Sequence, residues 1–86
     1  MTGLTFGLGV SWLHDGRALA ETARTAEQRG VGVITAADHV PSTEPFAQLA
    51  TVAAATERVR LRTYVLDVYF WNPALLAREV ATLDLL

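Results

Sequence analysis

Asp38 and His39 stand side by side in the stretch V-G-V-I-T-A-A-D-H-V-P at residues 31–41, directly after a short apolar run. Histidine is the side chain that exchanges a proton near neutral pH, and an adjacent carboxylate can orient it or hold a ligand. The competing reading is a polar turn in which both side chains satisfy local backbone groups, since short Asp-bearing turns are common. Two further sets of chemistry-capable residues share the same position relative to an apolar run. Trp12 and His14 follow the first run, and Asp67, Tyr69, Phe70 and Trp71 follow the third. Trp12 would line a substrate pocket or plug its mouth, and His14 beside Asp15 reads as a helix-start pair or as a further residue of that pocket with a catalytic role. The two histidines lack His-x-His or His-x₃-His spacing and there is no cysteine, so no metal ligand set is expected. Arg60 and Arg62 could meet a phosphate, although strand arginines more often run out to solvent.

The elements that must position these residues follow from periodicity. Leu4, Phe6, Leu8 and Val10 alternate with Thr5, Gly7 and Gly9, a period of two that predicts a strand over residues 4–10, nearly bare on one face. Asp15 is placed to cap a helix over 16–29, with Leu19, Ala23 and Ala26 on one stripe and Gly30 as a left-handed stop. A strand over 31–35 follows. Ser42 or Thr43 is expected to cap the second helix, with Pro45 in its first turn and Phe46, Leu49, Ala50 and Ala53 facing inward. Val59, Leu61, Thr63 and Val65 alternate with arginines and predict a third strand to about Leu66. Asn72-Pro73 opens a last helix carrying Leu76, Val80 and Leu83 on one face.

Composition bounds the class. The chain has 86 residues, a net charge of −2 and no cysteine, which gives no reason to expect a nucleic-acid or anionic-membrane partner and excludes thiolate chemistry. With 51 % hydrophobic and 19 % charged residues it reads as a buried layer, a piece of something larger or an oligomer joined through an exposed sheet edge. The N-terminus lacks a basic region and a long apolar core, so a cytoplasmic location is expected. The last helix has no stop signal, which reads as a truncation.

The order β-α-β-α-β-α predicts an α/β fold of parallel strands with right-handed crossovers. A doubly wound sheet would usually carry a glycine-rich phosphate loop after its first strand, whereas Ser11-Trp12-Leu13-His14 stands there. A (β/α)8 TIM-type barrel needs no such loop and gathers its site from the strand C-termini, so the chain reads as the first three βα units of one.

Several residues also carry a resemblance. Phe6-Gly7, the A-E-x-x-G at residues 26–30, Asp38-His39 and above all P-A-L-L-A-R-E-V-A-T-L-D-L-L at 73–86 resemble the N-terminal portion of the luciferase-like (bacterial-luciferase-type) flavin- or F420-dependent oxidoreductases. The resemblance covers essentially all of 1–86. It implies a cofactor at the barrel mouth, F420 with FMN as the alternative, and hydride transfer to or from a small organic substrate, with monooxygenation as a further activity of the family. Carried onto this sequence, His39 is the proton donor or acceptor and Asp38 holds the cofactor ring or orients His39. Thr63, Tyr64 and Val65 then form the bulge behind the ring, with a non-prolyl cis peptide expected at Tyr64–Val65. Arg62 departs from the family, where glycine is more usual. The alternative is that the 86-residue chain is inactive, a remnant or a helper subunit that completes a barrel with a partner chain.

Overall fold

The computed structural model describes residues 3–13, 15–39 and 44–86. Its elements are β1 (Gly7–Gly9), α1 (Gly16–Gln28), β2 (Val33–Ala36), α2 (Pro45–Ala55), β3 (Arg60–Thr63), a single 3-10 turn (Val68–Phe70) and α3 (Pro73–Leu85). The three strands form one parallel sheet in the order β1-β2-β3. This sequential order is common to one half of a doubly wound sheet and to a barrel.

The strands are shorter than the alternation predicts, because strand length here is set by the pairing partner and not by the apolar pattern. The central strand β2 spans four residues and pairs Gly7 with Val33, Gly9 with Thr35, Thr35 with Arg62 and Ala36 with Thr63. Backbone bonds continue past both ends of the regular ladder. Gly32 N–H donates to the Phe6 carbonyl at 2.9 Å, Val10 N–H to Thr35 at 3.0 Å and Tyr64 N–H to Ala36 at 2.9 Å.

Alternation then sorts the side chains. Leu8, Val10, Ile34, Ala36 and Leu61 lie toward the helices, where Val10, Leu19, Ala23, Ala26, Ile34 and Val52 form the core. Ile34, in the middle of the middle strand, is completely buried. Gly7, Gly9, Val33, Thr35, Arg60 and Arg62 occupy the other face, which the described residues leave largely uncovered.

Helix ends follow the sequence closely, with one change of capping residue. Asp15 Oδ1 accepts from the Arg17 amide at 2.9 Å, and Gly30 takes φ +92°, the left-handed geometry that ends α1. Asn72 Oδ1 accepts from Ala74 and Leu75, with Pro73 in the first turn of α3. At α2 the cap is Glu44, whose carboxylate accepts from Phe46 at 2.6 Å and Ala47 at 3.1 Å. The expected caps, Ser42 and Thr43, lie outside the described residues. Any side-chain oxygen that reaches the free first-turn amides can cap, and an anion gains from the helix dipole as well.

The buried face of α2 is Phe46, Gln48, Leu49 and Val52, so the predicted stripe is rotated: Ala50 is exposed and Ala53 half-buried. Alanines mark a helical stripe weakly, and the bulkier Val52 takes the inward position. On α3 none of the described side chains is fully buried; Leu76 and Leu83 are half-buried and Val80 is 50 % exposed.

At the end of the sheet where β3 begins, Glu27 closes the α2–β3 turn. Its carboxylate accepts from the amides of Glu57 at 3.0 Å, Arg58, and Val59 at 2.9 Å, with the Arg58 guanidinium nearby. The Arg58 amide bond, together with those of Val59 and Glu57 and the guanidinium charge, holds the Glu27 carboxyl below its ordinary value, against a smaller upward push from desolvation.

Ile34→Ala should cost about 2–5 kcal/mol in urea unfolding followed by circular dichroism, as expected for a large-to-small change at a closed core position. Because the folded-state value of Glu27 is depressed, its contribution is present above the unfolded value and is lost as pH falls through the folded one. Glu27→Gln should therefore lower Tm at pH 7 and flatten the acid limb of the Tm–pH curve below about pH 4.5. Parallel wild-type and variant curves would rule this role out.

Candidate functional site

The C-terminal ends of the three strands release Ser11 and Trp12, then Ala37, Asp38 and His39, then Tyr64, Val65 and Asp67, all at one edge of the sheet. Parallel strands force this convergence, since each crossover returns the chain to the same starting edge.

Short polar bonds lock the three loops to one another. The Ser11 hydroxyl accepts from the Ala37 amide at 2.6 Å, joining the first loop to the second. Asp38 joins the second to the third twice over. Its amide donates to the Val65 carbonyl at 2.9 Å, while its Oδ2 accepts from the Asp67 amide at 3.1 Å and the Trp71 indole at 2.8 Å. The Trp71 ring meets Phe46 edge-on at 5.1 Å between centroids, which ties the site to α2. On the first loop, the buried Gln48 of α2 donates through Nε2 to the Leu13 carbonyl at 3.1 Å and the Val10 carbonyl at 3.5 Å.

Against this scaffold, each residue singled out in the sequence has a definite place. His39 is exposed at the rim, one residue beyond the anchored Asp38. Thr63 is half-buried in register with Ala36, and Tyr64 and Val65 are 64 % and 51 % exposed beside it. The peptide bond between Tyr64 and Val65 is cis. Trp12 is exposed, and its indole folds back onto the Gly9 carbonyl at 2.9 Å. His14 lies outside the described residues. Among the described residues no cluster of three or more His, Asp or Glu side chains could hold a metal ion.

Asp38, His39, Thr63, Tyr64 and Val65 are thus brought to adjacent strand ends, while Trp12 stands on the first loop. Ser11 and Gln48 escape sequence reading. Ser11 follows a strand without any distinguishing motif, and Gln48 sits among apolar residues of α2 as an interruption of the pattern. That interruption was the available signal, because an amide placed at a core-facing position needs partners there.

Chemically, the edge combines an exposed imidazole with a carboxylate already committed to orienting a loop, and an uncovered tyrosine–valine step. Such a surface suits a flat heterocycle resting on apolar side chains, with polar groups at its rim.

The family model for luciferase-like monooxygenases matches residues 4–86. The F420-dependent glucose-6-phosphate dehydrogenase of Nocardia farcinica is 38 % identical over 79 residues, an overlap of 81 % of this chain and 24 % of that enzyme. The structure of the coenzyme F420-dependent tetrahydromethanopterin reductase of Methanopyrus kandleri superposes with a TM-score of 0.86 at 23 % identity, over 96 % of this chain and 24 % of that one. This second likeness is one of fold, and it resolves the choice topology left open in favour of three consecutive βα units of a (β/α)8 barrel. The chain spans about a quarter of the length of both relatives.

Asp38→Ala should release the Trp71 indole and the Asp67 amide together, at a cost of about 1–3 kcal/mol for charge-assisted bonds lost in a half-buried place. In a Trp12→Phe background the check is a red shift of the Trp71 emission. An unchanged spectrum would remove Asp38 from the loop scaffold.

Proposed function

This chain belongs to the luciferase-like monooxygenase family, and we propose that it forms the N-terminal part of an oxidoreductase barrel of that family, binding F420 at the C-terminal ends of its strands. One juxtaposition supports the reading above others. The exposed His39 and the exposed Tyr64–Val65 step stand at neighbouring strand ends, held there by the Asp38 amide on the Val65 carbonyl at 2.9 Å. Both relatives are named as F420-dependent enzymes, which favours F420 over FMN.

The residues fit a planar ring cofactor. Tyr64 and Val65 offer uncovered apolar surface and His39 an imidazole at its border, while Thr63, in register with the buried Ala36, turns its side chain to the helix-covered face and supports the step from behind. When bound, the cofactor supplies hydride transfer to or from a carbon of a small organic substrate. This chain's residues supply position and protons. His39 gives or takes the proton at the neighbouring heteroatom of the substrate. Asp38 holds the loop that carries His39 against the end of the third strand and the loop that follows it. Trp12, pinned at Gly9, walls the first-loop side against water.

Fluorescence titration of the chain with F420, and separately with FMN, tests the reading, with folding checked by circular dichroism. The expected outcome is saturable F420 binding that exceeds FMN binding. His39→Ala should weaken it roughly tenfold, the worth of one hydrogen bond of about 1.4 kcal/mol. Equal affinity in the wild type and His39→Ala would take His39 out of the site.

A further inference from the structure

We propose that Arg62 is a specificity-determining residue of this site, holding the oxyanion (carboxylate or phosphate) of the small molecule bound at the strand ends; this rests on the reading of those ends as the ligand site. Arg62 lies opposite Thr35, which lies opposite Gly9, in the row of the uncovered sheet face nearest the C-terminal edge. Its guanidinium carbon sits 5.7 Å from the centre of the Tyr64 ring, two residues further along the strand. The contact keeps the charge beside Tyr64, at the upper end of a cleft that Arg62 shares with Arg60 and Arg58 on the uncovered face.

No carboxylate of the described residues pairs with it. The ion pairs formed there belong to Arg58, with Glu27 and Glu57. Both faces of a parallel sheet are covered in a finished α/β protein, and a guanidinium enclosed there without an anion is costly. Gly9, with no side chain, leaves space in the same row for a ligand to reach it. The planar fork of arginine matches a carboxylate or phosphate with two parallel hydrogen bonds, which a lysine charge cannot reproduce. A second copy of the chain is a poor occupant, because face-to-face packing would set Arg60 and Arg62 against their own counterparts. Arg60 lies one row lower, opposite Val33, in the same cleft, so it measures how much of the effect is general positive charge and how much belongs to Arg62 beside Tyr64.

The test is a titration of the arginine-15N-labelled chain with inorganic phosphate, following the Nε–H signals by NMR, in the wild type, Arg62→Gln, Arg62→Lys and Arg60→Gln. The expected result is a saturable shift of the Arg62 signal, with phosphate affinity reduced roughly tenfold in Arg62→Gln, partly restored in Arg62→Lys and reduced only about twofold in Arg60→Gln, through loss of a neighbouring charge. Unsaturable shifts common to all arginines, or equal affinity in Arg62→Gln, would overturn the proposal. Repeating the titration with F420 present identifies the source of the oxyanion. Loss of phosphate binding assigns it to the cofactor's own acidic groups, and retained binding assigns it to the substrate. Arg62-dependent phosphate binding without F420 binding would remove the cofactor reading and keep the oxyanion site. F420 binding without any Arg62-dependent phosphate binding would do the reverse.

Discussion

Everything in this chain depends on the central position of β2. From Gly32 to Asp38 its backbone bonds to both neighbours, giving carbonyls to Val10, Arg60 and Tyr64 and amides to Phe6 and Val65. A strand paired on both sides is fixed in register, and register decides which face every side chain takes. Ile34 and Ala36 are thereby sent under α1 and α2, with Val33 and Thr35 on the opposite face. The same ladder delivers Asp38 at the height where its amide meets Val65 and its carboxylate meets Asp67 and Trp71. Site geometry is therefore a direct extension of strand pairing.

The two ends of the sheet use carboxylates for one purpose in different settings. At the end where β3 starts, Glu27 gathers three consecutive amides and fixes the turn into that strand. At the opposite end, Asp38 gathers an amide and an indole and fixes the loop leaving it. Each ties donors of one loop to a side chain from another element. The division of labour matches the barrel pattern, in which one end is given to stability and the other to chemistry.

The two faces of the sheet differ as sharply. The helix-covered face is apolar and closed around Ile34, while the other carries two glycines, Thr35 and two arginines. Mean composition conceals this asymmetry, since it averages the closed core with the exposed apolar side chains of the third loop and α3. The exposed Tyr64, Val65, Tyr69 and Phe70 gather at the edge where the loops emerge.

Local chemistry was legible in the residues themselves. Asp15 and Asn72 as caps, Gly30 as a left-handed stop, Pro45 and Pro73 in first turns and the alternation of parallel strands with helices all depend on neighbours within a few positions. The membership of residues 4–86 in the luciferase-like family is likewise carried by sequence. Other features depend on contacts between residues distant in the chain. The limits of β1 and β3 were set by the four residues of β2, and the inward face of α2 by competition between Val52 and the neighbouring alanines. The bonds from Ala37 to Ser11, from Trp71 to Asp38 and from Gln48 to Leu13 span 26, 33 and 35 positions. No local pattern encodes such pairs, because their partners become neighbours only when parallel pairing has brought three separate strand ends to one edge.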